Sequence, residues 1–374
     1  MIPTQPTHQE TYGSDLALTG RKLTPLFDPV VPFCIEAWEM RRKEIQTCIL
    51  SILGNFPPKP HILALEERSR KQLGSVILHE FNITWDNEES HLVTVLVPNE
   101  REPKSFPCLV APHPTSLHGM CSGWDRSLEP NDFHYPIEAA EAGFVVLTFD
   151  HFTLPLRTAP GREYDSSSFY HKHPKWSALG KAAWDLQRVV DVAERLPFCD
   201  SDRLGAIGFS LGAHTSLFAS AFDERIRATV VASGVSSLAG DCRADYVWVR
   251  RTGKYSYMPS LAPFFDRGEA PPFDFHEVAA LVAPRSLLLL SGFRDAWCGG
   301  GAIMGEFVTH VQNAYAGMGA EEQFSAAFHG YGHAFPSCWR NFAYSWLRER
   351  LSGTHIKPSI QSHFSLSPSK PPRS

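Results

Sequence analysis

One stretch of eleven residues constrains the fold of this chain more than any other: Leu204-Gly205-Ala206-Ile207-Gly208-Phe209-Ser210-Leu211-Gly212-Ala213-His214. An apolar run leads into Gly208-x-Ser210-x-Gly212, and a helical pattern follows through Leu217, Phe218 and Ala221. A strand that turns abruptly into a helix strains the residue at the corner and lifts its side chain above the sheet. Glycines two residues to either side leave room where a Cβ would strike neighbouring backbone. The Leu211 amide, at the start of the helix, points to where negative charge would gather on an attacked carbonyl oxygen. Ser210 therefore reads as a nucleophile. Because Gly-x-Ser-x-Gly also arises by chance, the reading requires an acid and then a histidine, each at a strand end.

Both are present in that order. The apolar strand Ser286–Leu290 runs out into Ser291-Gly292-Phe293-Arg294-Asp295, roughly 85 residues after Ser210. Functional groups collect outside the carboxyl ends of strands in doubly wound sheets. A carboxylate there would fix a histidine's tautomer and stabilise the imidazolium as it forms. Asp266 and Asp274 are the fallback acids. The strand Phe324–Phe328 is followed by His329-Gly330-Tyr331-Gly332-His333. His333 stands beyond a glycine-bearing turn that can fold back over the sheet, whereas His329 still lies at the strand end.

The rest of the chain supplies a frame for these three residues. The first 34 residues carry five prolines and no periodicity, and read as an extended or disordered arm. A helix over Ile35–Leu53 puts Trp38, Ile45, Ile49 and Ile52 on one face, with Gly54 as its stop. Ser75–Thr84 and His91–Pro98 read as a hairpin around Asp86-Asn87-Glu88-Glu89, at the exposed antiparallel edge of a sheet. From there strands (Cys108–Ala111, Phe144–Phe149, Leu204–Phe209, Ala228–Ala232, Ser286–Leu290, Phe324–Phe328) alternate with helical stretches (Ile137–Ala142, Leu179–Leu196, and finally Cys338–Leu351). That rhythm predicts α/β architecture, a mostly parallel twisted sheet with helices on both faces, in one domain over 35–352. Within it, 235–283 is a possible cap insertion rich in aromatic residues. Residues 353–374, rich in proline and serine and without an acidic side chain, are expected to be disordered.

Composition narrows the partners. A net charge of -5 and a pI near 6.4 give no reason to expect nucleic acid or an anionic membrane. The eight cysteines are scattered without a C-x-x-C pair, which argues against a disulfide framework or structural zinc. No apolar run approaches the roughly 18 residues that span a bilayer. The polar, proline-bearing start lacks the pattern of a signal peptide, so a cytoplasmic location is expected. The spacing of His171 and His173, with no third ligand in view, does not suggest a metal. No cofactor is expected, and the oligomeric state is left open.

Taken together, these residues resemble the α/β-hydrolases of the dienelactone-hydrolase and acetyl-xylan-esterase type, in the branch with a serine nucleophile. The similarity runs from about Ile35 to Leu351. It rests on His113-Pro114-Thr115-Ser116, Phe133-His134-Tyr135, Trp184-Asp185 and Asp202-Arg203-Leu204-Gly205 with the elbow. It continues in Pro272-Phe273-Asp274-Phe275, Ala283-Pro284-Arg285, Asp295 and Gly332-His333-Ala334-Phe335-Pro336. The resemblance implies an esterase or lactonase with Ser210, Asp295 and His333 as a triad. The chain departs from it at Pro114, where relatives carry a glutamine. Proline has no amide proton, so the second oxyanion donor, beside Leu211, falls to the amide or hydroxyl of Thr115.

The expected function is a serine hydrolase that cleaves a small-molecule carboxylic ester, as an esterase, lactonase or deacetylase, through an acyl-enzyme. Its base must be a neutral histidine, so activity should fall as pH drops through about 6–7. His113, Phe152, Trp248, Tyr257 and Trp297 are the candidate substrate-pocket residues, with His113 packing beneath the oxyanion loop. The apolar stretch after Asp150 suggests a substrate bulkier than an acetylated sugar. The alternatives are a prolyl-oligopeptidase-like peptidase, which usually carries a propeller that has no room here, an acyltransferase, and a non-catalytic binder on the same fold.

Overall fold

The computed structural model describes residues 21–27, 32–86, 90–99, 106–128, 130–154, 161–241, 244, 248–298 and 300–352. The disordered tail expected at 353–374 and the first twenty residues lie outside this range. The strands are β1 (Ile62–Leu73), β2 (Val76–Trp85), β3 (Ser90–Pro98), β4 (Phe106–Val110), β5 (Val145–Phe149), β6 (Cys199–Phe209), β7 (Ala228–Ala232), β8 (Ser286–Gly292) and β9 (Phe324–His329). They form one sheet in the order β1-β2-β3-β5-β4-β6-β7-β8-β9. β5, β4, β6, β7, β8 and β9 pair in parallel, while β1, β2 and β3 join β5 through antiparallel ladders. The predicted mostly parallel sheet is present.

Alternating side chains on the parallel strands feed two cores, as a strand buried on both faces must. On one face Val110, Leu147, Ala206, Val231 and Leu289 pack under α1 (Ile35–Leu53), α3 (Ala178–Ala193), α4 (Leu211–Phe222), α5 (Phe275–Ala280) and α6 (Gly300–Gly317). On the other, Leu109, Val146, Ile207, Val230 and Leu288 meet α2 (Tyr135–Glu141) and α7 (Ser337–Leu351). α1 ends as expected at Gly54, whose N–H donates to Leu50 at 2.8 Å with φ at 86°. The Ser177 hydroxyl caps α3 by accepting from the Gly180 N–H at 2.9 Å.

The antiparallel end corrects one expectation. The β2–β3 hairpin forms, with Thr84 opposite Ser90, but it is not the edge of the sheet. β1, a strand the sequence reading missed, takes that place, and β3 is buried on both faces over most of its length. β1 hides from pattern analysis because Glu66, Glu67, Arg68, Arg70 and Lys71 break any apolar alternation. Charges of this kind are what keep an exposed edge from pairing with another chain.

Of the N-terminal arm, residues 21–27 are fastened to the domain. Leu23 and Leu26 are buried in the larger core. The Leu23 N–H donates to Glu306 at 3.2 Å, His276 Nε2 donates to the Thr24 carbonyl at 2.8 Å, and Arg21 reaches the Glu269 carbonyl at 3.0 Å. The inserted stretch after β7 also packs on the body. Asp274 caps α5 and accepts from the backbone of Leu238 and Ala239 and from Ser237 Oγ at 2.8–3.0 Å. Asp266 instead pairs with exposed Arg251. Each fallback acid is thus engaged away from Ser210 and His333.

Candidate active site

Six parallel strands deliver their carboxyl ends to one rim, and the site is assembled from the turns that leave them. At the end of β6, Ser210 has φ 54° and ψ -121°, a strained conformation for a residue with a side chain. The strain persists because the surroundings fix it. A Cβ on Gly208 would run into the Gly212 backbone, and one on Gly212 would run into the Pro112 carbonyl. The Ser210 N–H donates to Ala232 at 3.0 Å, tying the corner to β7. Its carbonyl accepts from Ala213 and His214, the first bonds of α4.

The three side chains named from sequence converge. The Ser210 hydroxyl and His333 Nε2 are 2.9 Å apart. His333 Nδ1 lies 3.0 Å from Asp295 Oδ1 and 2.9 Å from Oδ2. With Nδ1–H donating to the carboxylate, Nε2 is left as the acceptor for the serine proton. Asp295 has no exposed surface, while 22% of the His333 side chain is open to solvent. Burial pushes the Asp295 carboxyl upward, but the His333 hydrogen bond and charge, with the Trp297 N–H, outweigh it and hold the group below the usual carboxylate range. The acid is therefore ionised and aimed. His329, the other candidate base, stays at the end of β9, buried beside Tyr331 and Trp339.

The acid and base loops are stitched to each other. Phe293 N–H donates to His329 at 2.8 Å and Arg294 N–H to Tyr331 at 3.4 Å. Beyond His333, the Phe335 N–H donates to Asp132 Oδ2 at 3.1 Å. Buried Arg340, on α7, forks onto Glu138 of α2 at 2.7 and 2.9 Å and also reaches Asp132 and the Phe335 carbonyl. The sequence reading missed this anchor, since its parts are about two hundred residues apart and no local pattern links them.

The oxyanion side is held in the same way. Leu211 N–H belongs to the first turn of α4, where no intrahelical acceptor exists. Thr115 sits in the loop after β4, near Tyr257. His113 is buried and packs beneath that loop, as expected. Its Nδ1–H donates to the Pro114 carbonyl at 2.6 Å, and its Nε2 accepts from the His151 N–H at 3.1 Å. The Tyr164 hydroxyl brackets Ser116, accepting from its N–H and donating to its carbonyl, both at 2.8 Å. A small cavity behind the loop is bounded by His113, His151, Asp185, Leu211 and Thr215. Asp185 there takes Lys181 Nζ at 2.6 Å and His91 Nε2 at 3.2 Å, and Trp85 Nε1–H donates to His91 Nδ1 at 3.0 Å.

The remaining pocket candidates divide. Trp297 is 37% exposed beside the acid. Phe152 is half-buried between His151 and Phe169, and Tyr257 is half-buried next to Thr115. Trp248 is buried edge-on to His214, with ring centroids 4.4 Å apart, and against Phe275. It supports the wall from behind and does not line an opening, because the inserted segment folds into the core. His214, one turn after Ser210, is also buried. Burial, aided by the nearby His333 charge, lowers its pKa to about 3 despite the opposing pull of Asp295.

Sheet, elbow and rim define an α/β-hydrolase-type fold. The family model described as "Glucuronyl esterase, fungi" matches residues 132–319, half of the chain, and the chain belongs to this family. It is 26% identical over 249 residues to the 4-O-methyl-glucuronoyl methylesterase of Hypocrea jecorina, covering 62% of this chain and 54% of that protein. The chain thus spans about half the length of this curated relative. It is 24% identical to the putative hydrolase YtaP of Bacillus subtilis over 83% of this chain and 100% of that one. Among solved structures, the glucuronoyl esterase from Solibacter usitatus shares the fold with a TM-score of 0.68 at 16% identity, over 90% of this chain and 100% of that one. A putative acetyl xylan esterase from Bacteroides fragilis superposes with a TM-score of 0.60 at 17% identity, over 83% and 79% of the two chains. The resemblance drawn from the sequence holds at the level of the fold, and the matched family is the glucuronyl esterases.

Proposed function

We propose that the protein is a serine esterase whose substrate is an ester of a uronic acid. The observation that carries the catalytic reading is the unbroken line from Ser210 Oγ through the His333 imidazole to the Asp295 carboxylate, with both links at 2.9 Å. His333 Nε2 takes the serine proton as Oγ attacks the ester carbonyl. The Leu211 N–H and Thr115 hold the oxyanion. His333 then returns the proton to the departing alcohol, and water, activated by the same imidazole, releases the acid. Asp295 keeps Nδ1 protonated throughout and stabilises the transient imidazolium.

The substrate class rests on the family match and on the names of relatives, which are 4-O-methyl-glucuronoyl methylesterases. The experiment is a panel of the methyl ester of glucuronic acid, p-nitrophenyl acetate and a proline-containing peptide amide, run on wild type and Ser210→Ala with product masses recorded. Hydrolysis of the uronate ester above the other two, lost in Ser210→Ala, is the expected result. Unchanged turnover in Ser210→Ala overturns the catalytic reading. Preference for acetate or amide overturns the substrate class.

A further inference from the structure

Three donor atoms of different chemistry meet at the acid end of the triad. Asp295, Cys298 and His333 each offer one ligand atom, and these atoms lie within 4.8 Å of one another. The backbone brings them together. Cys298 N–H donates to Asp295 Oδ1 at 3.0 Å, closing the turn that holds the acid, and the thiol donates to the Ser233 carbonyl at 2.9 Å. The sulfur and the carboxylate are buried, while the partly exposed imidazole leaves an ion a way in. Catalysis as derived above uses the carboxylate and the imidazole and gives the thiol no task.

Thiolate, imidazole and carboxylate together form the donor set of zinc-class ions, and the sulfur selects against magnesium and calcium, which want six or more oxygens. A tetrahedral centre with bonds of about 2.0–2.3 Å holds its donors about 3.4–3.6 Å apart. The His333–Asp295 contact would open by roughly half an ångström to admit one. A pair standing at the full 4.8 Å would close by about 1.2 Å at the same time.

We propose that Asp295, Cys298 and His333 bind a thiophilic divalent cation of the zinc and cadmium class, and that occupancy stops turnover. The ion bonds to the thiolate, one carboxylate oxygen and Nδ1. The thiol proton passes to solvent. The imidazole gives up its Nδ1 proton and takes one on Nε2, so one proton is released per ion and nothing is oxidised or reduced. Ser210 then faces an N–H donor where it needs an acceptor, and its hydroxyl proton has nowhere to go. The effect on turnover rests on the roles proposed for Ser210 and His333, whereas binding of the ion does not.

The test uses the full, reduced chain, titrated with Zn2+ during p-nitrophenyl acetate hydrolysis and separately with Cd2+ while the ultraviolet thiolate-to-cadmium charge-transfer absorption is recorded. Cys298→Ser keeps a donor for the Ser233 carbonyl and should retain basal activity; Cys298→Ala serves if the serine variant folds poorly. Wild type should lose nearly all activity at saturating Zn2+ and regain it with a chelator. Cys298→Ser should need about 10-fold more Zn2+ or higher, since even loss of a ligand's outer partner costs 10–100-fold in affinity. Its cadmium spectrum should fall short of wild type by one thiolate band. Inhibition of both proteins at the same Zn2+ concentration, or identical cadmium spectra, overturns the site. Should the protein lack esterase activity, the spectra still decide whether the ion binds, so the two readings fail separately.

Discussion

The carbonyl of Gly332 occupies the place that a Cβ on Gly292 would fill. Through this contact the turn that carries the acid lies directly against the turn that carries the base, and the backbone bonds Phe293–His329 and Arg294–Tyr331 run beside it. Gly292→Ala should push the two turns apart by a fraction of an ångström to an ångström. Misplacement of that size costs about 10²-fold. The expected result is a fall of that order in kcat/KM with the unfolding midpoint little changed. An alanine variant that turns over at the wild-type rate would show that the approach is not needed.

Asp295→Asn tests the tautomer argument. An asparagine presents an N–H or a carbonyl to Nδ1, and with the N–H facing the ring, His333 carries its proton on Nε2, facing Ser210. A loss of about 10⁴-fold in kcat is expected, as when the corresponding aspartate is replaced in other triads, with the fold retained. Stopped-assay rates alongside circular dichroism of the variant check both halves.

Acid should weaken the fold through its buried histidines before it reaches the carboxylates. Burial lowers His214 to about 3 and His276 to about 4. An unfolded chain takes up a proton on each near pH 6.5, so between 6.5 and those values the unfolded state binds more protons and stability falls as pH falls. At 1.36 kcal/mol per unit, His214 alone accounts for on the order of 3 kcal/mol lost by pH 4. The Asp295 carboxyl is held below its ordinary value. Its stabilising share is therefore complete above about pH 4 and is lost only below it. Urea midpoints at pH 7, 5.5 and 4 should drop steadily, and His214→Gln should flatten the slope. A flat wild-type profile across this range would contradict the assignment.

Asp185 joins Lys181, His91 and Trp85 behind the oxyanion loop, with both Asp185 and Lys181 buried. Asp185→Ala takes the carboxylate away from a buried ammonium, and breaking a buried pair from one side costs about 3–5 kcal/mol. Chemical denaturation should show that loss. The paired change Lys181→Met with Asp185→Leu should recover much of it, because no lone charge is left inside.

The convergence of Ser210, Asp295 and His333 was legible because each of them obeys a local rule. Ser210 needs its flanking glycines, and Asp295 and His333 each follow an apolar strand. α1 was legible because Trp38, Ile45, Ile49 and Ile52 repeat at helical spacing and are buried together. What escaped has no local signature. Arg340 meets Glu138 and Asp132 only after two hundred residues of chain have folded. β1 carries an edge strand's charges in place of a core strand's alternation. Trp248 looked like a pocket residue because aromatic loops often are, yet a ring that covers His214 and Phe275 is worth more inside.

The fastening of residues 21–27 changes where the working unit begins. An expression boundary drawn at Ile35, the first helical residue, would strip Leu23 and Leu26 from the interior and leave His276 without the Thr24 carbonyl it grips. Such a trimmed version should be poorly soluble, whereas one starting just before Arg21 keeps every one of those contacts.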